Sequence, residues 1–176
     1  MDTKEFSERT ILAVDNFLHP KVFSEIAAEL EYLKDWAPEI DRYDSQPPAG
    51  VTCDLQSTSR TYQALVEELQ KMFKAPLVLD RIYVNRFQTG EQPRFHVDGD
   101  VLTCLLYADP EEWNIDEFGE TQILANGEIR GVLPRPNRML VFDGRLPHRA
   151  TSFLSRQRHT IATKLLNVTF SDIIMG

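Results

Sequence analysis

Apolar residues Val22, Phe23, Ile26, Ala27, Leu30 and Leu33 recur at three-and-four spacing just after His19-Pro20. That rhythm predicts an amphipathic helix over 21–33, with the proline marking its first turn. Tyr62, Leu65, Val66, Leu69, Met72 and Phe73 repeat the rhythm and predict a second helix over 59–73. Ahead of them, 10–18 reads as a strand, and 36–56, rich in Pro, Asp, Ser and Gly, reads as a loop. From Leu77 the period shortens, and short β-like runs follow at 79–88, 93–97, 101–108, 120–125, 128–133, 138–143, 148–153 and 158–168. Strands at this spacing predict a sandwich or barrel. Asn126-Gly127 between Ile123-Leu124 and Ile129 predicts a two-residue hairpin, because Asn and Gly tolerate positive φ. The expected organisation is one domain over 1–176: helical support and loop over 1–76, packed on a β-rich core over 77–170.

Composition narrows the field. The chain has 176 residues, 42% hydrophobic, with a net charge of −8, which fits a globular protein with a real core. An acidic balance argues against a phosphate-backbone partner, so nucleic acid is not expected. The charged start, Met1-Asp-Thr-Lys-Glu, lacks the apolar core of a signal peptide, and no run is long enough to span a bilayer. Cys53 and Cys104 have neither CxxC spacing nor companion histidines and are expected to be reduced thiols in a cytoplasmic protein.

Chemistry concentrates in a few positions. In His96-Val97-Asp98, read as strand, the imidazole and the carboxylate project from one face. Such a pair occurs readily by chance. His148 opens a later run fifty positions beyond Asp98 and gives the pair a possible third member. Two histidines and one carboxylate on one face, with open positions left, suit a non-haem iron(II) centre; two histidines and an aspartate also suit zinc. In the last run, Arg158, Thr160, Ala162 and Lys164 share a face by alternation. An arginine turned into an apolar barrel needs an acid partner or an anionic ligand, and its planar fork suits a carboxylate. Thr103, Leu105 and Tyr107 share a face in the same way and would line one pocket. His19, at a helix start, and His159, on the opposite face from Arg158, read as structural.

These residues, with Thr103-Cys104-Leu105-Leu106-Tyr107, Trp113, Gly119-Glu120-Thr121 and Pro147-His148 followed ten positions later by Arg158, resemble the core of the iron(II)/2-oxoglutarate-dependent dioxygenases, in the prolyl 4-hydroxylase-like branch. The resemblance runs from Tyr83 to Leu166, about half the chain. It implies a mainly β fold with supporting helices: a double-stranded β-helix, the jelly-roll or cupin-like core. It further implies that His96, Asp98 and His148 bind Fe(II) and that Arg158 holds the 5-carboxylate of 2-oxoglutarate, with a hydrogen bond from Tyr107. Thr103, Leu105, Lys164 and Tyr83 complete the implied co-substrate pocket. The implied activity is hydroxylation of an unactivated C–H bond with O2, on a small-molecule, amino-acid or peptide substrate. A carboxylate at Asp98, where halogenating relatives carry a small residue, favours hydroxylation over halogenation.

The chain departs from the branch at three places. Phe87 stands where relatives often carry a co-substrate tyrosine, leaving that contact to Tyr83 or Asn85; Lys164 stands where peptide-modifying relatives carry tryptophan; and Phe118-Gly119-Glu120 replaces Gly-Gly-Glu. The acidic loop 109–117 reads as solvated surface or, as a lid, as a docking edge for an amine. Arg42, Arg60, Arg86 and Arg94 are alternative anchors for a substrate carboxylate. Two other classes compete: a zinc or manganese isomerase or hydrolase, which leaves Arg158 without a role, and a silent peptide-binding module, which has no use for converging ligands.

Overall fold

The structure, a computed structural model, describes residues 11–39, 49–91 and 93–174. Arg42, the 40–48 part of the predicted loop and the start of the 10–18 run lie outside the described residues. The described residues form ten strands and two α-helices, in the predicted order except within 36–56 and 93–97. They are β1 (Ile11–Val14), α1 (Pro20–Leu30), β2 (Ala37–Pro38), β3 (Val51–Asp54), α2 (Arg60–Met72), β4 (Leu79–Phe87), β5 (Leu102–Tyr107), β6 (Thr121–Ala125), β7 (Glu128–Val132), β8 (Met139–Asp143), β9 (His148–Ala150) and β10 (Arg158–Leu165).

Helix α1 starts at Pro20 as expected, capped by His19, whose side chain accepts from Lys21 N–H, and it buries Phe23, Ile26 and Leu30. It stops one turn before the predicted end, since the residues past Leu30 turn away. Helix α2 is capped by Ser59 and buries Leu65 and Leu69. Both pack on one side of a seven-stranded antiparallel sheet ordered β1, β8, β5, β10, β4, β3, β2. Ile82, Val84, Cys104, Leu106, Val141 and Ile161 point toward the helices, and with the helical residues they form the larger core.

The opposite face of that sheet meets a smaller antiparallel sheet ordered β7, β6, β9. Tyr83, Leu105, Tyr107, Leu140, Phe142 and Ala162 from the large sheet pack with Ile123 from the small one. Alternation along β4, β5 and β10 therefore divides each strand between the helix-side core and the barrel interior. Two facing antiparallel sheets of this kind make the expected double-stranded β-helix. The Asn126-Gly127 hairpin forms, with φ of 54° and 78°, and pairs Ala125 with Glu128.

Three predicted elements differ. The 36–56 segment hides β3, which pairs with β4 through Thr52 opposite Asn85; a run of four residues after a Pro-Gly stretch is too short to show a period. The 93–97 run is not a strand: Pro93 offers no donor, and within the run only His96 makes a bridge. Strand β9 ends at Ala150 rather than at 153, although Phe153 still bridges to Phe118. No helix among the described residues is long and apolar enough to cross a membrane.

Candidate metal centre and co-substrate pocket

His96 and His148 meet as a backbone pair. The His96 N–H donates to the His148 carbonyl at 3.0 Å, and the His148 N–H returns the bond at 2.9 Å. Directly opposed residues project to the same side, and the two imidazole centroids are 4.4 Å apart. Each ring is fixed through Nδ1, that of His96 at 3.1 Å from the Arg94 carbonyl and that of His148 at 2.8 Å from the Leu146 carbonyl. With Nδ1 donating, Nε2 is left as the ligand atom.

Asp98 reaches the histidines by a route other than strand alternation. Its N–H donates to the Gly144 carbonyl at 2.7 Å, while the Gly144 N–H donates to the Val101 carbonyl at 2.8 Å. This clamp turns the chain so that Asp98 Oδ1 lies 3.9 Å from His96 Nε2 and Oδ2 lies 3.3 Å from His148 Nε2. One ligand atom from each of the three residues falls within 4.8 Å of the others, a spacing that fits a single metal ion. His148 and Asp98 are nearly covered at 8% and 10% side-chain exposure, whereas His96 is 30% exposed. The site opens on the His96 side.

The Asp98 carboxylate is held from behind. Thr103 Oγ1 donates to Oδ2 at 2.6 Å, and the Lys164 ammonium bonds the same oxygen while also donating to Thr103 Oγ1 at 3.2 Å. Burial pushes the Asp98 carboxyl up, but Lys164 and His148 outweigh it and hold the group well below the usual carboxylate range. Burial likewise works against the charge on Lys164, and Tyr83 and Asp98 offset it, so the ammonium stays charged. Glu39, half-buried, has its carboxyl raised by burial, against the pull of His96, Lys164 and Arg81.

Arg158 lies deeper, 1% exposed. Its Nε donates to the Gly119 carbonyl at 2.8 Å and its Nη2 to Thr121 Oγ1 at 3.0 Å. The guanidinium carbon sits 5.4 Å from the centroid of Tyr107 and 5.8 Å from that of Phe87. Phe87 thus offers the Arg158 guanidinium a ring face. Arg158 Nη1 is buried with no hydrogen-bond partner among the described residues, and so are Thr160 Oγ1 and Asn85 Oδ1. Thr160 and Asn85 are register partners on neighbouring strands, and Phe87 opposes Arg158. Three orphaned polar atoms share one strip of the interior, a polar slot in which Arg158 Nη1 and Thr160 Oγ1 are donors that suit an anion. Sequence reasoning had Arg158 and Thr160 on one face but gave Thr160 no role.

The remaining candidates fall as follows. The Tyr107 hydroxyl is 2.8 Å from Thr121 Oγ1 and donates to the Val132 carbonyl at 3.1 Å, which places it beside Arg158 on the same threonine. Leu105 and Tyr83 are buried in the interior cluster, and Lys164 Nζ lies 5.9 Å from the Tyr83 ring centroid. Arg60 pairs with Glu25 on the helix layer, Arg86 stacks on Trp36 at 4.0 Å, and Arg94 is exposed. Three acids of the 109–117 loop are engaged, His159 taking Asp109 at 2.8 Å, Arg156 taking Glu111 at 2.6 Å and Glu117 binding Ser155, while Glu112 and Asp116 are exposed. Gly119 belongs to the Gly119-Glu120-Thr121 motif, whereas Gly144, whose backbone holds Asp98, carried no signal beyond being a glycine.

No family model and no curated relative matches the sequence. The fold does match solved structures. A prolyl-4-hydroxylase from Pseudomonas putida superposes with a TM-score of 0.76 at 14% identity, over 93% of this chain and 96% of that one. A prolyl hydroxylase from Trichoplax adhaerens, in complex with a peptide fragment of the hypoxia inducible factor oxygen degradation domain, gives 0.73 at 16% identity, over 94% and 87%. HygX from Streptomyces hygroscopicus, with nickel, 2-oxoglutarate and hygromycin B bound, gives 0.69 at 14% identity, over 93% and 86%. The chain has the fold of the prolyl 4-hydroxylases and other iron(II)/2-oxoglutarate oxygenases.

Proposed function

We propose that the chain is an iron(II)- and 2-oxoglutarate-dependent hydroxylase that oxidises an unactivated C–H bond of an amino acid, a peptide or a related small molecule, releasing succinate and CO2. The observation that carries this reading is the partnerless Nη1 of Arg158, a buried cation sharing the barrel interior with the His96, Asp98 and His148 cluster. A buried guanidinium nitrogen left open is costly unless an anion fills it. A zinc hydrolase or isomerase would use the triad and leave that nitrogen idle.

In this reading His96 Nε2, Asp98 and His148 Nε2 hold iron(II), the two imidazoles aimed by the backbone pair that joins them. Arg158 would receive the 5-carboxylate of 2-oxoglutarate on Nη1, its other nitrogens fixed by Gly119 and Thr121. Thr160 Oγ1 would donate to the same anion, and Tyr107 steadies Thr121. Leu105, Leu140, Phe142 and Ala162 exclude water around the slot. When bound, iron and 2-oxoglutarate supply the oxidant with O2, while the chain contributes geometry and a dry pocket. The substrate classes named for the structural neighbours, a peptide and hygromycin B, span the range proposed here.

Incubation of the purified protein with Fe(II), 2-oxoglutarate and isotopically heavy O2 over a panel of free amino acids and peptides tests the proposal. Succinate formation that depends on the triad, with heavy oxygen in one product, is the expected result. Absence of succinate with metal and 2-oxoglutarate both bound contradicts an oxygenase.

A further inference from the structure

Lys164 is a buried charge in the site that the proposed chemistry does not use. Its side chain and that of Asp98 are each 10% exposed, and its ammonium bonds Asp98 Oδ2 together with Thr103. Asp98 is also the only carboxylate among the grouped ligands. A divalent ion on the triad and the ammonium of Lys164 therefore share one buried carboxylate. Thr103 offers Oδ2 a neutral donor from the opposing position, since Thr103 and Lys164 are register partners on β5 and β10. Orientation of the carboxylate thus has a neutral source, and what Lys164 adds is charge. Its remaining surroundings are the Tyr83 side chain, the buried Cys104 and the half-buried Glu39.

We infer that Lys164 is a built-in competitor for the Asp98 carboxylate, which holds divalent-metal affinity below the level that the three ligands alone would set. This rests on reading the triad as a metal centre. Two like charges on one buried carboxylate repel in a medium that screens poorly. The lysine thereby keeps the centre ready to exchange its metal.

The test is a Co(II) titration of the metal-free protein, followed by the visible absorption of the bound ion. Wild type is compared with Lys164→Met, Thr103→Val and Lys164→Arg. Lys164→Met should bind Co(II) at least about tenfold more tightly than wild type. Thr103→Val, which loses a donor and keeps the charge, should not bind more tightly, and neither should Lys164→Arg. If Lys164→Met does not fold, Lys164→Gln takes its place with the same expected tightening. A lysine that only orients Asp98 would make Lys164→Met and Thr103→Val both bind more weakly. Unchanged or weaker binding in the charge-removing variant overturns the inference while leaving the metal centre standing. No Co(II) binding by wild type overturns the metal-centre reading and this inference with it.

Discussion

Asp98 and Gly144 are joined by a 2.7 Å hydrogen bond from the Asp98 N–H to the Gly144 carbonyl, and this contact delivers the carboxylate to two histidines paired elsewhere. A Cβ on residue 144 would stand 2.7 Å from the Val101 carbonyl oxygen and 3.1 Å from Asp98 Cβ. Backbone on one side and the Asp98 side chain on the other leave nothing that can yield cheaply. Gly144→Ala is expected to lower stability by about 1–3 kcal/mol and to weaken divalent-metal binding about tenfold. Thermal unfolding and a Co(II) titration check it; unchanged metal affinity would show that the clamp is not what places Asp98.

Arg158 makes a sharper prediction, because its role divides metal from co-substrate. Arg158→Met should reduce 2-oxoglutarate affinity about a hundredfold, the loss of a charge-assisted contact of roughly 3 kcal/mol, while Co(II) alone binds as in wild type. Arg158→Lys should not restore it. A lysine cannot keep Gly119 and Thr121 bonded and still offer a third donor in the plane of the fork. Calorimetric titration of 2-oxoglutarate into the Co(II)-loaded variants decides the matter.

Gly119 supports the same pocket from outside. Its φ is +86°, and a Cβ there would lie 2.2 Å from Cε1 of the buried Phe153 ring. Its carbonyl accepts from Arg158 Nε. Gly119→Ala combines left-handed strain with a clash, so a loss above about 2 kcal/mol is expected. Part should be recovered in Gly119→Ala with Phe153→Leu, as read by thermal unfolding.

A pH dependence should appear far from the site. Arg138 forks onto Asp15, Nε to Oδ1 at 2.6 Å and Nη2 to Oδ2 at 2.9 Å, tying the residue after β1 to the residue before β8. The Arg138 hydrogen bonds lower the Asp15 carboxyl, against a smaller push from burial. A lowered folded-state value means that the stabilisation is fully present above the ordinary value of 3.8 and is lost as pH falls through the folded value. Asp15 is 47% exposed, so the pair contributes less than about 1 kcal/mol. Asp15→Asn should lower Tm slightly at neutral pH, and the gap should close as the pH falls below 3.8. A gap that widens on acidification contradicts the assignment.

The fold was legible where burial imposes a period. Alternation along β4, β5 and β10 assigns each residue to the helix-side core or the barrel interior, and Arg158, Thr160 and Tyr107 fall on the interior side as their parity predicts. The short edge strand β3 left no readable period. His96 and Asp98 do converge, yet not by the strand geometry that first suggested it: His96 is placed by its bridge to His148, and Asp98 by Gly144. Contacts between segments roughly fifty positions apart leave no local pattern, and a glycine required for close approach looks like any other. The acidic loop is illegible for a related reason, since Arg156 and His159, its partners, come from distant sequence.

The most direct test of the central claim is anaerobic titration of the metal-free protein with Fe(II) and 2-oxoglutarate, following the weak visible charge-transfer band of the chelate. His96→Ala and Arg158→Ala are run alongside. The account predicts the band in wild type, its loss in His96→Ala for want of metal, and its loss or marked weakening in Arg158→Ala at the same 2-oxoglutarate concentration. Tight metal binding without a band would contradict it and return the protein to the zinc or manganese class.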